Sequence, residues 1–67
     1  MKRYFVFIDD DVYKEAPASL KETPAVGTGV IYNSCLYVVV CVYYDMKENI
    51  INIGIEKKTE LKNRKNE

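Results

Sequence analysis

The sequence predicts an all-β fold, a small antiparallel sheet of four to five strands made of a three-stranded meander plus an N-terminal strand. Three observations carry this. Four segments are rich in β-branched and aromatic residues: RYFVFI at 3–8, AVGTGVIY at 25–32, CLYVVVCVYY at 35–44 and NIINIGIEK at 49–57. The breaks between the last three are only a few residues long, as hairpin connections are. The one stretch with helical character, 18–22, is a single turn bracketed by Pro17 and Pro24.

The N-terminal strand spans residues 3–8 and is apolar on both faces. Asp9, Asp10 and Asp11 stop it, because aspartate disfavours strands and prefers turns. Val12 and Tyr13 add at most a short extension. Residues 14–24, KEAPASLKETP, have no strand period and are expected to form a loop containing at most that one turn. The next strand is interrupted by Gly27 and Gly29. Asn33-Ser34 then forms a two-residue hairpin loop, although Asn-Gly would be the stronger signal. Residues 35–44 are the strongest strand in the chain. A four- or five-residue loop around Asp45-Met46-Lys47-Glu48 leads to the last strand, where Ile51, Ile53 and Ile55 alternate strictly. A single β domain is expected over residues 1–57. The remainder, 58–67, has Leu61 as its one apolar side chain and is expected to be a flexible polar tail, since it cannot bury enough to offset its ordering entropy.

Register decides which side chains share a face. The Asn33-Ser34 loop pairs Tyr32 with Cys35, Ile31 with Leu36, Val30 with Tyr37 and Gly29 with Val38. A four-residue loop at 45–48 pairs Val42 with Ile51, Val40 with Ile53 and Val38 with Ile55. One face would then hold Ile31, Leu36, Val38, Val40, Val42, Ile51, Ile53 and Ile55, a purely aliphatic set expected to be the core. The other would hold Val26, Thr28, Val30, Tyr32, Cys35, Tyr37, Val39, Cys41, Tyr43, Ile50 and Asn52. A face turned to water should alternate apolar with polar residues, and this one does not. In outline the pattern resembles small SH3-like barrels, and Gly27, Gly29 and Gly54 would let the sheet curl into one. Even so, some tyrosine-bearing apolar surface is left uncovered. Such surface marks an interface, and tyrosine suits the task, with large area, few rotatable bonds and a hydroxyl that tolerates water.

Composition narrows the function. Sixty-seven residues with ten basic and ten acidic side chains give a formal net charge of zero, against a general nucleic-acid or anionic-membrane binder. A domain this small is only marginally stable, and oligomerisation often supplements such domains. There is no histidine, so no imidazole base, nucleophile partner or metal ligand. Cys35 and Cys41 lie six residues apart in one strand, roughly 20 Å. A disulfide needs Cα atoms within about 7 Å, so the two are expected to be reduced thiols in a cytoplasmic protein. The longest apolar run, ten residues at 35–44, is half a membrane span. Frequent Ile, Lys and Asn suit an A+T-rich genome, such as a low-GC bacterium or its phage.

No motif supplies chemistry. Asp9, Asp10 and Asp11 form an acidic patch without EF-hand spacing, read as a solvated strand end rather than a metal site. Gly27-Thr28-Gly29 lacks the Lys-Ser/Thr and helix start of a phosphate loop. Nothing assembles into a catalytic set, and no cofactor or metal is expected. The expectation is a non-enzymatic protein-binding module, an inhibitor or regulator encoded by a phage or mobile element, or a homodimer. Its contact residues would be Tyr32, Tyr37, Val39, Tyr43 and Ile50. The alternative is a small barrel binding nucleotide or single-stranded nucleic acid through stacked tyrosines. Against it, residues 26–55 contain one base, Lys47, and two acids, Asp45 and Glu48.

Overall fold

A computed structural model describes residues 2–10 and 15–61. It contains five strands: β1 (Lys2–Phe7), β2 (Glu15–Pro17), β3 (Gly29–Tyr32), β4 (Cys35–Asp45) and β5 (Ile50–Glu60). They form one mixed sheet in the order β2-β1-β5-β4-β3, curled into a half-barrel. The predicted all-β class and the meander β3-β4-β5 are both present. The N-terminal strand enters in an orientation the sequence did not specify. β1 lies parallel to β5, with Phe5 opposite Ile53 and Phe7 opposite Ile55. The antiparallel expectation holds for β1–β2, β3–β4 and β4–β5.

β2 falls inside the expected loop. It is three residues long, pairs Ala16 with Phe5, and places Ala16 in the core. The chain then crosses the inner side of the sheet to the opposite edge as the expected loop, without the single helical turn that 18–22 allowed. Arg3 holds this crossing segment. Its Nε donates to Thr23 Oγ1 at 2.9 Å and its Nη1 to the Leu20 carbonyl at 3.3 Å. The segment ends in a turn closed by Thr28 N donating to Ala25 O at 3.1 Å, with Gly27 at φ 99°. A positive φ at the third turn position is the type II arrangement, which glycine adopts without steric cost.

The β3–β4 register is the predicted one, Tyr32↔Cys35 through Gly29↔Val38. Asn33 and Ser34 have φ of 52° and 62°, both left-handed, as a type I′ turn requires. The second loop is 46–49 rather than 45–48. Asp45 pairs with Ile50, its Oδ1 accepts from Glu48 N, and Asn49 takes the left-handed position at φ 62°. β5 continues to Glu60, so residues 58–60, assigned to the tail, are strand; 62–67 lie outside the described residues.

The predicted assignment of faces is corrected by a β-bulge. Along β4, Val42 pairs with Ile53 and Cys41 with Gly54, but Val39 pairs with Ile55. Val40 is the extra residue. One inserted residue reverses the alternation, so every β4 side chain before it changes face. Val42, Ile51, Ile53 and Ile55 stay on the core side as expected. Val39 joins them at 0% exposure, whereas Leu36, Val38 and Ile31 turn outward. The core is Phe5, Phe7, Ala16, Ala18, Val39, Ile51, Ile53 and Ile55, with Val30, Tyr32, Tyr37 and Val42 packed against it. On the reverse side a Cβ on Gly54 would collide with Cys41 Sγ, so the thiol fills the space that glycine leaves on the neighbouring strand.

The left-handed Ser34 carries a steric cost that glycine lacks, about 1–2 kcal/mol, partly offset by the greater unfolded-state freedom of glycine. Ser34→Gly is therefore expected to raise stability by up to about 1 kcal/mol, measured by urea unfolding. A loss of stability would contradict the turn assignment.

Candidate interaction surface

The bulge divides the five predicted contact residues between two faces. Tyr43 and Ile50 stand on the outer, convex face, in adjacent rows of β4 and β5. Tyr32, Tyr37 and Val39 stand on the inner face. Val39 is fully buried and offers nothing to a partner. Tyr32 and Tyr37 are half-buried and pack on Phe7, each with ring centroids 5.4 Å from it, and Tyr37 meets Phe7 nearly edge-on. Such tilted and edge-on contacts exploit the ring quadrupoles and add to area burial. These two tyrosines close the mouth of the half-barrel. They do not share a surface with Tyr43, so the tyrosines form no single stacking platform.

The outer face is built by alternation. On β1 it receives Lys2, Tyr4 and Val6, on β5 Ile50, Asn52, Gly54 and Glu56, on β4 Leu36, Val38, Cys41, Tyr43 and Asp45, and on β3 Ile31. Ile8 continues this row beyond β1, its Cγ2 lying over Gly54. Ile8 and Tyr43 are each 46% exposed and Ile31 is 59% exposed. By backbone neighbourhood each strand lies beside only its partners in the sheet, so among the described residues no second layer of strands lies over the outer side, although Val6 on it is buried at 4% exposure. The face is not held open by unsatisfied polar groups: no buried side-chain nitrogen or oxygen lacks a partner among the described residues.

Of the predicted acidic patch, Asp9 has a structural task. The parallel ladder ends with Ile8 N donating to Ile55 O at 3.1 Å. Asp9 Oδ2 then accepts from Lys57 N at 3.2 Å, extending the ladder by one side-chain bond. Asp10 lies close enough to act electrostatically on Tyr37. Asp11 lies outside the described residues. Among the described residues no group of three His, Cys, Asp or Glu side chains could hold a metal ion. Cys35 and Cys41 are free thiols on opposite faces of the sheet. A shallow cavity of about 340 Å³ lies at the other end, lined by Lys2, Arg3, Tyr4, Pro17, Ala18 and Leu20; its arginine is already committed to the crossing segment. No described helix is long and apolar enough to cross a membrane.

Compared with protein-family models, curated proteins and solved structures, the chain matches none.

The electrostatics of the inner mouth are directional. Burial, reinforced electrostatically by Cys35, pushes the Tyr37 phenol above its ordinary 10.0; Lys57 opposes this, while Asp10 and Asp9 add to it. The hydrogen bond to Glu60, followed by the Cys35 and Glu60 charges, raises the exposed Lys57 ammonium. The phenolate is disfavoured in the folded state, so the unfolded state ionises first on the alkaline side. The contribution of Tyr37 is fully present below pH 10.0 and is lost as pH rises through its folded-state value. Lys57 acts in the same direction. Thermal midpoints measured from neutral pH to above 10.0 should fall less in Tyr37→Phe than in the wild type. Equal declines would contradict the placement of Tyr37 in the mouth.

Proposed function

We infer that this chain is a small non-enzymatic protein-binding module whose working surface is the outer face of the sheet. One observation carries the reading: the convex face presents Ile8, Ile31 and Tyr43 to solvent, with half-buried Tyr4, Leu36, Val38, Cys41 and Ile50 beside them. Exposed apolar side chains with a tyrosine among them and polar Asn52 and Glu56 beside them fit a protein–protein interface. Neutral charge fits a protein partner before a phosphate backbone. The contact set is therefore Tyr43 and Ile50 from the predicted residues, joined by Ile8 and Ile31. The module acts by occupying a partner surface, as an inhibitor or adaptor does, in the reducing cytoplasm that two unbridged thiols suit. Its residue usage fits a phage or mobile element of a low-GC host.

The test is partner capture from a host lysate with immobilised wild type, Tyr43→Glu and Met46→Glu. Met46 is the first residue of the β4–β5 loop, beyond the last strand pair Asp45↔Ile50, and is 80% exposed. Glutamate at Tyr43 would place a charge in the desolvated centre of the contact. Retention should fall at least about tenfold, while Met46→Glu retains the partner. Equal retention by all three proteins would remove the outer face from consideration.

A further inference from the structure

We propose that the free edge of β3 pairs antiparallel with β3 of a second copy, joining two half-barrels into one continuous ten-stranded sheet. The argument shares Ile31 with the convex face but rests on backbone groups at the sheet edge, and the cross-link below tells the two surfaces apart.

The two edges of the sheet differ. The β2 edge is three residues long and includes Pro17, which has no N–H to offer. β3 is four residues without proline or charge, and no described strand lies beyond it. Hydrogen-bond alternation fixes which of its groups are free. Thr28 O accepts from Val39 N at 2.9 Å, and the two-residue hairpin makes Tyr32↔Cys35 a bonded pair. Val30 and Tyr32 therefore direct their backbone groups toward β4, as does the Thr28 carbonyl, while Gly27 N rather than Thr28 N donates to Val39 O at 2.8 Å. Gly29 and Ile31 direct theirs outward, at an exposed edge that offers a strand a row of backbone partners.

A second copy fits this edge better than an arbitrary peptide, because the edge is complementary to itself. A two-fold axis at Val30 sets Gly29 opposite Ile31 of the second copy, and Ile31 opposite its Gly29. Both are hydrogen-bonded pairs, so all four outward groups of each strand are used and four backbone bonds form. Neighbouring two-fold registers, centred on Gly29 or on Ile31, leave one of these two residues facing a turn residue instead. The chosen register also matches size. Ile31, 59% exposed, lies over a glycine that has no side chain to displace, and a Cβ at Gly29 would meet Leu36 and the Tyr37 carbonyl at no closer than ordinary contact distance. Charge raises no obstacle: residues 26–44 contain no Asp, Glu, Lys or Arg, so two copies meet without like-charge repulsion. Natural edge strands that must stay unpaired carry lysine, proline or an inward charge, and β3 carries none.

Sedimentation equilibrium at high-micromolar concentration reads the assembly directly. The full chain should run at twice the 7.8 kDa of one copy, and Ile31→Lys at 7.8 kDa, with its far-ultraviolet spectrum and melting cooperativity retained. Register is read by mixing Gly29→Cys with Ile31→Cys under mild oxidation. The mixture should give a 29–31 cross-link by peptide mass mapping, in excess of the 29–29 or 31–31 products. A wild-type monomer overturns the proposal. A dimer that survives Ile31→Lys overturns it too and assigns association to another surface. Cross-links without preference for the 29–31 pair overturn the register.

Discussion

One extra residue in β4 determines what this molecule shows to its surroundings. Side chains alternate along a strand, so inserting Val40 exchanges the faces of everything that precedes it on β4 and, through the hairpin, of β3 as well. Val39 lands among Ile53, Ile55 and Phe7 in the core, and Tyr37 and Tyr32 close over that core from the same side. Leu36, Val38 and Ile31 are turned out. Without the bulge Leu36 and Val38 would join Phe5 and Phe7 inside and Tyr37 and Tyr32 would face outward; with it, Tyr37 and Tyr32 pack on the core and the convex face carries Leu36, Val38 and Ile31 along with Tyr4 and Tyr43.

The other constraints serve the same arrangement. The parallel β1–β5 ladder places Phe5 and Phe7 opposite Ile53 and Ile55, so the aromatic residues reach the curved interior. Asp9 extends that ladder where the backbone has ended, which turns an acid at a strand end into a register pin. Arg3 ties the crossing segment over the inner side, and Ala16 and Ala18 fill the narrow space beneath it. Gly54 lets Cys41 lie close on the convex side. These devices cover one face of the sheet. Among the described residues the other face keeps Ile8, Ile31 and Tyr43 exposed, while Val6 on it is buried.

Much of the architecture was legible in the residues. The β3–β4 hairpin followed from Asn33-Ser34 between two apolar runs, and its register agreed pair by pair. The strands at 35–44 and 50–55 followed from β-branched content, and the alternating isoleucines marked the core face of β5 correctly. The bulge was not legible for a specific reason. Val38-Val39-Val40 is uniformly apolar, so alternation carries no register information at the point where the register shifts. β2 was missed because Glu-Ala-Pro has no strand signal of its own; it is strand because β1 offers it an edge. The parallel placement of β1 depends on a contact nearly fifty residues away in sequence, which local pattern does not encode. Of the five expected contact residues, Tyr43 and Ile50 lie on the exposed side because they follow the bulge or sit on β5. Tyr32, Tyr37 and Val39 precede the bulge or pair with residues that do, and they lie inside.

The face exchange at Val40 is tested most directly by a matched pair of core and surface truncations, Val39→Ala and Val38→Ala, compared by urea unfolding. The two residues are adjacent and identical in type, so strand propensity cancels between them. If Val39 is in the core, its truncation should cost about 2 kcal/mol or more, and that of Val38 less than about 1 kcal/mol. The reverse order, with Val38 the costly position, would place Leu36, Val38 and Ile31 inside and contradict the account.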